Sequence, residues 1–138
     1  MKLINQLLIF IVTIFFLSCS SGSKVSDPLI DDIWILDFVE GVDYHPTPDN
    51  KNRPMIEIHS KDNEVTGSTG CNSLNGKVNI NGNEIFFSDI ITTEKFCENS
   101  IESEFLVALG MVNNYEIEKL KLNLYRDTEI ILVFQKMD

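Results

Sequence analysis

A chain of 138 residues with 43% hydrophobic residues has room for one domain with a real core, and not for two full-sized ones. Its formal charge of −10, from 21 acidic against 11 basic side chains, excludes the electrostatic footprint of a nucleic-acid binder. A mean hydropathy of +0.01 argues against disorder, although one short segment at the start inflates it.

That segment comes first in the chain. Lys2 supplies a positive start, and Leu7 to Leu17 is almost wholly apolar. A run of this length behind a basic end fits a secretory signal, whereas a membrane-spanning helix needs about 20 apolar residues. Phe16-Leu17-Ser18-Cys19 then resembles the bacterial lipobox, with Phe16 where Leu is usual. The resemblance implies cleavage before Cys19 and acylation of that cysteine. Several acyl chains, each worth about 0.8 kcal/mol per buried CH₂, make such an anchor effectively permanent. Ser20 stands where an Asp retains some lipoproteins in the inner membrane, so outer-membrane delivery is expected. The chain thus divides into a signal peptide at 1–18, a lipidated Cys19 with a flexible tether at 19–29, and a folded domain at 30–138.

From Ile33 the pattern is short strands separated by turn residues. Ile33 to Val39 is apolar on both faces except at Asp37 and reads as a covered strand. Glu40 to Arg53, with Pro46 and Pro48, reads as a long exposed loop. Met55 to Ser60 alternates Ile56 and Ile58 with Glu57 and His59, and Glu64 to Ser68 is its hairpin partner. Lys77 to Ile80 and Glu84 to Ser88 flank Asn81-Gly82-Asn83, the clearest hairpin signal in the chain.

One helix interrupts the strands. Asn99 followed by Glu102 matches a capping box, and Ile101, Phe105, Ala108, Leu109 and Val112 repeat at helical spacing. Leu106, Val107 and Met111 make its last two turns apolar nearly all round, which predicts a helix covered on most sides. Leu120, Leu122 and Leu124 then alternate with polar residues. Arg126-Asp127-Thr128 makes a turn, and Glu129 to Gln135 forms the last strand. Seven or eight strands with one helix predict a mainly β (α+β) domain: an open, antiparallel, barrel-like curled sheet wrapping one buried α-helix.

Beyond Cys19 the chain holds two cysteines, Cys71 and Cys97. In an oxidising envelope two remaining cysteines pair as a rule, and a bridge closing about 27 residues is worth roughly 3.5 kcal/mol. Two inert thiols, or a nucleophilic thiol assisted by His45 or His59, are the alternatives; no fixed spacing links either histidine to a cysteine.

Gly70-Cys71-Asn72-x-x-x-Gly76, the Asn-Gly-Asn hairpin, Ile85-Phe86-Phe87 and Thr93-x-x-x-Cys97 occur in that order. They are followed by Glu104-x-x-x-x-Leu109 on the helix, Tyr115, Leu120-x-Leu-x-Leu124 and a closing Leu132-Val133-Phe134. With Trp34-x-Leu36 as the opening strand, this order resembles the META domain of HslJ-type bacterial lipoproteins over about residues 30–136. Phe96, where that family often has Met or Ala, and the long Glu40–Arg53 loop depart from it. The resemblance implies the same barrel-like fold, an association with heat shock and novobiocin tolerance, and no established reaction. Within the motif, Gly70 and Gly76 read as turn glycines and Asn72 as a turn residue bonding nearby backbone.

Catalytic constellations are absent from the pattern. Gly67-Ser68-Thr69-Gly70 is not a nucleophile elbow, Asp43, His45 and Asp49 are spaced by stiffening prolines, and no pair among the many carboxylates stands out. No cofactor or metal is expected, and no enzyme activity. The expectation is a monomeric, non-catalytic envelope protein held to the membrane by its lipid, which binds or scaffolds an unidentified protein or small ligand during envelope stress. A small-molecule or lipid-binding module, with an apolar cavity between sheet and helix, is the alternative; a thiol-dependent enzyme is the third.

Overall fold

The computed structural model describes residues 27, 29–46 and 52–137; the signal segment, Cys19 and the tether up to residue 26 lie outside the described residues. Eight strands and one helix follow in chain order. They are β1 (Ile33–Val39), β2 (Met55–His59), β3 (Glu64–Ser68), β4 (Ser73–Asn81), β5 (Glu84–Thr92), α1 (Glu102–Met111), β6 (Asn114–Glu118), β7 (Lys121–Arg126) and β8 (Glu129–Lys136). Each strand pairs antiparallel with the next, and β8 returns to β1, with Leu36 opposite Phe134. The expected open sheet is therefore a closed barrel. Closure removes the exposed edges that an open sheet would leave at β1 and β8.

The ring is thinnest between β5 and β6, which share only the pair Glu84 and Asn114. β6 itself carries an alternating signal that the sequence reading passed over, with Tyr115 and Ile117 set against Glu116 and Glu118. Two-residue turns close the β4–β5 and β6–β7 hairpins. Gly82 takes φ +62° between paired Asn81 and Glu84, and Lys119 takes φ +57° between paired Glu118 and Lys121.

Inward side chains of all eight strands fill the barrel. Trp34, Leu36, Ile56, Ile58, Leu74, Ile85, Leu122, Leu124 and Phe134 are essentially inaccessible, and the Trp34 indole N–H donates to the Ile30 carbonyl at 3.0 Å. Helix α1 packs on β5, β1 and β8. Its Phe105 ring meets Phe134 edge-on at 6.2 Å between centroids. Only Phe105 and Leu109 of the helix are buried, while Val107 and Met111 are 55% and 45% exposed. The buried, wrapped helix is thus corrected to one lying on the barrel with a single inward stripe. The strands already fill the interior and leave room for one helical face.

The loop after β1 is not wholly exposed either. Val42 and Tyr44 pack on the core, and the Arg53 guanidinium donates to the Leu36 carbonyl at 2.7 Å. Because neighbouring strands alternate in direction, the barrel has two distinct ends. Asp27, the β2–β3, β4–β5 and β6–β7 turns and the C-terminal residues share one; the β3–β4 turn, the β5–α1 loop and the β7–β8 turn share the other.

Candidate functional site

The second of these ends carries the two buried polar residues found among the described residues, Thr69 and Asn72. They bracket the β3–β4 turn. Thr69 N–H donates to the Asn72 carbonyl at 2.8 Å, and Thr69 Oγ1 accepts from Asn72 N–H at 2.8 Å and Cys71 N–H at 3.3 Å. Ser68 Oγ accepts from Gly70 N–H at 3.0 Å, so this serine is a turn residue. Gly70 holds φ +86°, and a Cβ there would stand 2.2 Å from the Asn52 carbonyl oxygen. Both the dihedral and the close approach demand glycine.

The Asn72 carboxamide uses both of its ends. Its oxygen accepts from Thr93 Oγ1 at 2.8 Å and Lys95 N–H at 2.7 Å. Its nitrogen donates to the Lys95 carbonyl at 3.1 Å and to the Glu102 carboxylate at 2.9 and 3.1 Å. Thr69 Oγ1 also donates to Glu102 Oε2. Thr93 Oγ1 in turn accepts from Ser73 N–H at 3.1 Å. A single carboxamide therefore joins the β3–β4 turn, the end of β5, the following loop and the start of α1. Hydrogen bonds to a carboxylate are the strong members of such a set.

Glu102 is where the sequence reading and the structure part. The capping box expected with Asn99 does not form: Asn99 is left-handed at φ +55°, Ile101 occupies the cap position, and no side chain caps the helix there. Glu102 N–H takes Ser100 Oγ at 3.2 Å instead, which frees the Glu102 carboxylate to turn into the turn network. The Thr69 and Asn72 donors, buried and pointed at it, offer more than one distant backbone N–H.

A disulfide joins Cys71 to Cys97, with Cα atoms 5.9 Å apart. It fastens the same turn to the same loop that Asn72 holds. Both cysteines of the described residues are therefore paired and neither is a free thiol. His59 sits at the far end of β2, 3.6 Å from Glu57, and His45 pairs with Asp43 at 2.8 Å. Beside the disulfide a cleft of about 330 Å³ opens, lined by Asp43, Tyr44, Thr69, Gly70, Cys97 and Glu98 among others. Burial raises the Tyr44 phenol above its ordinary value.

A family model described as META domain matches residues 27–138. The chain belongs to the META domain family. Three solved structures share the META domain's barrel. A protein from Burkholderia xenovorans, solved by NMR, is 20% identical, with a TM-score of 0.65 over 86% of this chain and 96% of its own. A second NMR structure is 20% identical at TM-score 0.60, covering 81% and 96%. A duf4847 family protein from Bacteroides vulgatus ATCC 8482 is 18% identical at TM-score 0.57, covering 79% and 96%. At these identities the likeness shows the fold alone. No curated protein matches the chain.

Within this META domain the motif residues separate. Gly70, Cys71 and Asn72 form the turn, but Gly76 lies inside β4 and not in a turn, which corrects that expectation. Ladder register explains its identity: Asn75 faces Ile91 and Lys77 faces Ser88, so β5 bulges by one residue at Asp89–Ile90. A Cβ at Gly76 would meet Ile90 Cδ1 at 2.3 Å. Asp43 and His45 form an exposed pair, Asp49 lies outside the described residues, and no metal-holding group of His, Cys, Asp or Glu occurs among the described residues.

One carboxylate pair escaped the sequence reading. Glu129 beside Glu40 holds the Glu40 carboxyl above the usual range, while Arg126, 2.6 Å from Glu129, holds Glu129 below it. Glu40 follows the last residue of β1 and the β7–β8 turn brings the other two alongside, a juxtaposition that strand order alone creates. Both carboxylates are partly open to water.

Proposed function

We propose that this META domain protein is a lipid-anchored, non-catalytic component of the bacterial cell envelope, attached through Cys19 to the outer membrane, that acts by binding or scaffolding under envelope stress. One observation carries the non-catalytic part. The polar groups of the Thr69–Asn72–Glu102 network are directed at one another, and Cys71 and Cys97 are paired, so the best-built polar site of the domain serves its own architecture. A catalytic site keeps groups free for a substrate. The anchor part is supported by the lipobox-like Phe16–Cys19 and the polar tether behind it. Among the described residues no helix is long and apolar enough to cross a membrane.

The apolar-cavity reading is weaker, because Phe105, Leu109 and Phe134 occupy the space between helix and sheet. The anchor is tested by metabolic labelling of the full-length chain with radioactive palmitate. Label retained by the natural protein and lost in Cys19→Ala, together with loss of membrane association, is the expected result. An unlabelled natural chain sinks the reading.

A further inference from the structure

We propose that Phe96 is the anchoring side chain of a protein–protein contact, offered at the end of the barrel opposite the N-terminal entry to a partner with an apolar pocket rimmed by basic groups. Phe96 is 94% exposed, the most exposed large apolar side chain among the described residues. The residues on either side of it are nonetheless held in place. On one side, Lys95 gives its N–H to Asn72 Oδ1 at 2.7 Å and takes Asn72 Nδ2 on its carbonyl at 3.1 Å. On the other, Cys97 is bonded to Cys71. Asn72 itself is buried and tied to helix α1 through Glu102. An aromatic ring placed wholly in water on a braced loop is preorganised, and little backbone freedom remains to be lost when a partner closes over it.

The surroundings choose the partner's chemistry. Glu94 and Glu98 flank Phe96 in the chain, both exposed, with the exposed Lys95 beside it, and Glu98 lines the 330 Å³ cleft together with Asp43, so carboxylates outnumber ammonium groups on this loop and cleft. An apolar knob on a net acidic loop fits a pocket edged with Lys or Arg. It disfavours an anionic lipid surface. It equally disfavours a second copy of this chain, whose own formal charge is −10. Placement agrees with this. The described chain begins at Asp27, whose N–H reaches Tyr115 Oη at 3.4 Å beside the β4–β5 turn, at the other end of the barrel. On the anchor reading, on which this argument rests, Phe96 lies at the end of the barrel away from where the tether joins.

The test replaces Phe96 by the photoreactive p-benzoylphenylalanine in the full-length chain, in its own host cells, with Asn83 at the opposite end as the comparison position. The expected result is a discrete protein adduct from position 96 and none of that size from position 83. Its yield should fall about fivefold or more when Glu94→Lys and Glu98→Lys are introduced together, at an unchanged thermal midpoint. No adduct, an adduct of twice the chain's mass, an adduct with lipid, or a yield that survives the charge reversal overturns the proposal. Palmitate labelling of the same samples keeps the two readings apart. A labelled chain without adduct sinks the contact alone; an unlabelled chain with the adduct sinks the anchor alone.

Discussion

Asn72 and Glu102, thirty residues apart in the chain, meet through hydrogen bonds of 2.9 and 3.1 Å from one carboxamide nitrogen to the two oxygens of one carboxylate. The contact turns a local β-turn into the joint between sheet and helix. Asn72→Ala leaves the Glu102 carboxylate with Thr69 Oγ1 alone and takes the acceptor from both the Thr93 hydroxyl and the Lys95 N–H. With unsatisfied buried groups costing about 1–3 kcal/mol each, and water reaching some of them, a loss of about 3 kcal/mol is expected in urea unfolding. A loss below about 0.5 kcal/mol would show that the network is decorative.

The disulfide braces the same joint from outside. Reduction, or the double change Cys71→Ser with Cys97→Ser, should lower unfolding free energy by roughly 3.5 kcal/mol from loop entropy. The oxidised protein should weigh about two daltons less than the reduced one in denaturing mass spectrometry. Native labelling of both cysteines by iodoacetamide without prior reduction would contradict the bridge.

Gly76 tests the β5 bulge. Gly76→Ala sets a Cβ 2.3 Å from Ile90 Cδ1 and 3.1 Å from the Ser88 carbonyl oxygen, and should cost about 1–3 kcal/mol. Because the nearest atom is the tip of a side chain, Ile90→Ala in the same protein should return part of the loss. A double-mutant cycle that reads simple additivity would remove the bulge explanation.

The orientation of α1 can be read by substitution. Leu109→Ala removes a side chain with no exposure and should cost about 2–5 kcal/mol. Val107→Lys, two residues away on the outer face, should stay within about 0.5 kcal/mol. Comparable losses at the two positions would restore a helix covered on most sides.

Asp32 supplies a pH signature. Lys136 Nζ stands 2.6 Å from its carboxylate and, as the leading cause, lowers its titration below the ordinary 3.8. The folded state therefore binds this proton more weakly than the unfolded one. The pair's stabilisation is fully present above about pH 4 and is lost as pH falls through the lowered value. Carbon-detected NMR titration should give Asp32 a midpoint below 3.8, moving up in Lys136→Met. An identical midpoint in both proteins would show that Lys136 is not the cause.

Much of the barrel was legible because alternation is a local signal. Ile56 and Ile58 against Glu57 and His59, or Leu122 and Leu124 against Lys121 and Asn123, declare which face is inside without reference to any other strand. β6 was the exception: its alternation is held in five residues between the helix end and the Leu120 alternation, too short a run to stand out. Apolar residues around α1 misled for a related reason. Periodicity says which residues can be buried together, whereas how many are buried depends on how much of the interior the strands have already filled.

The sequence by itself determined the strand pattern, the Asn-Gly hairpin, the single helix and the pairing preference of two cysteines, all of which follow from nearest-neighbour chemistry and simple counting. Closure of β8 on β1, the bulge opposite Gly76 and the turn of Glu102 away from its own helix toward Asn72 were decided by tertiary structure alone. Each depends on groups brought together from distant parts of the chain, and a buried donor goes to whichever acceptor the packing places in reach. The exposed ring of Phe96 belongs to the same class, since only the folded loop shows that its neighbours are held while it is left in water.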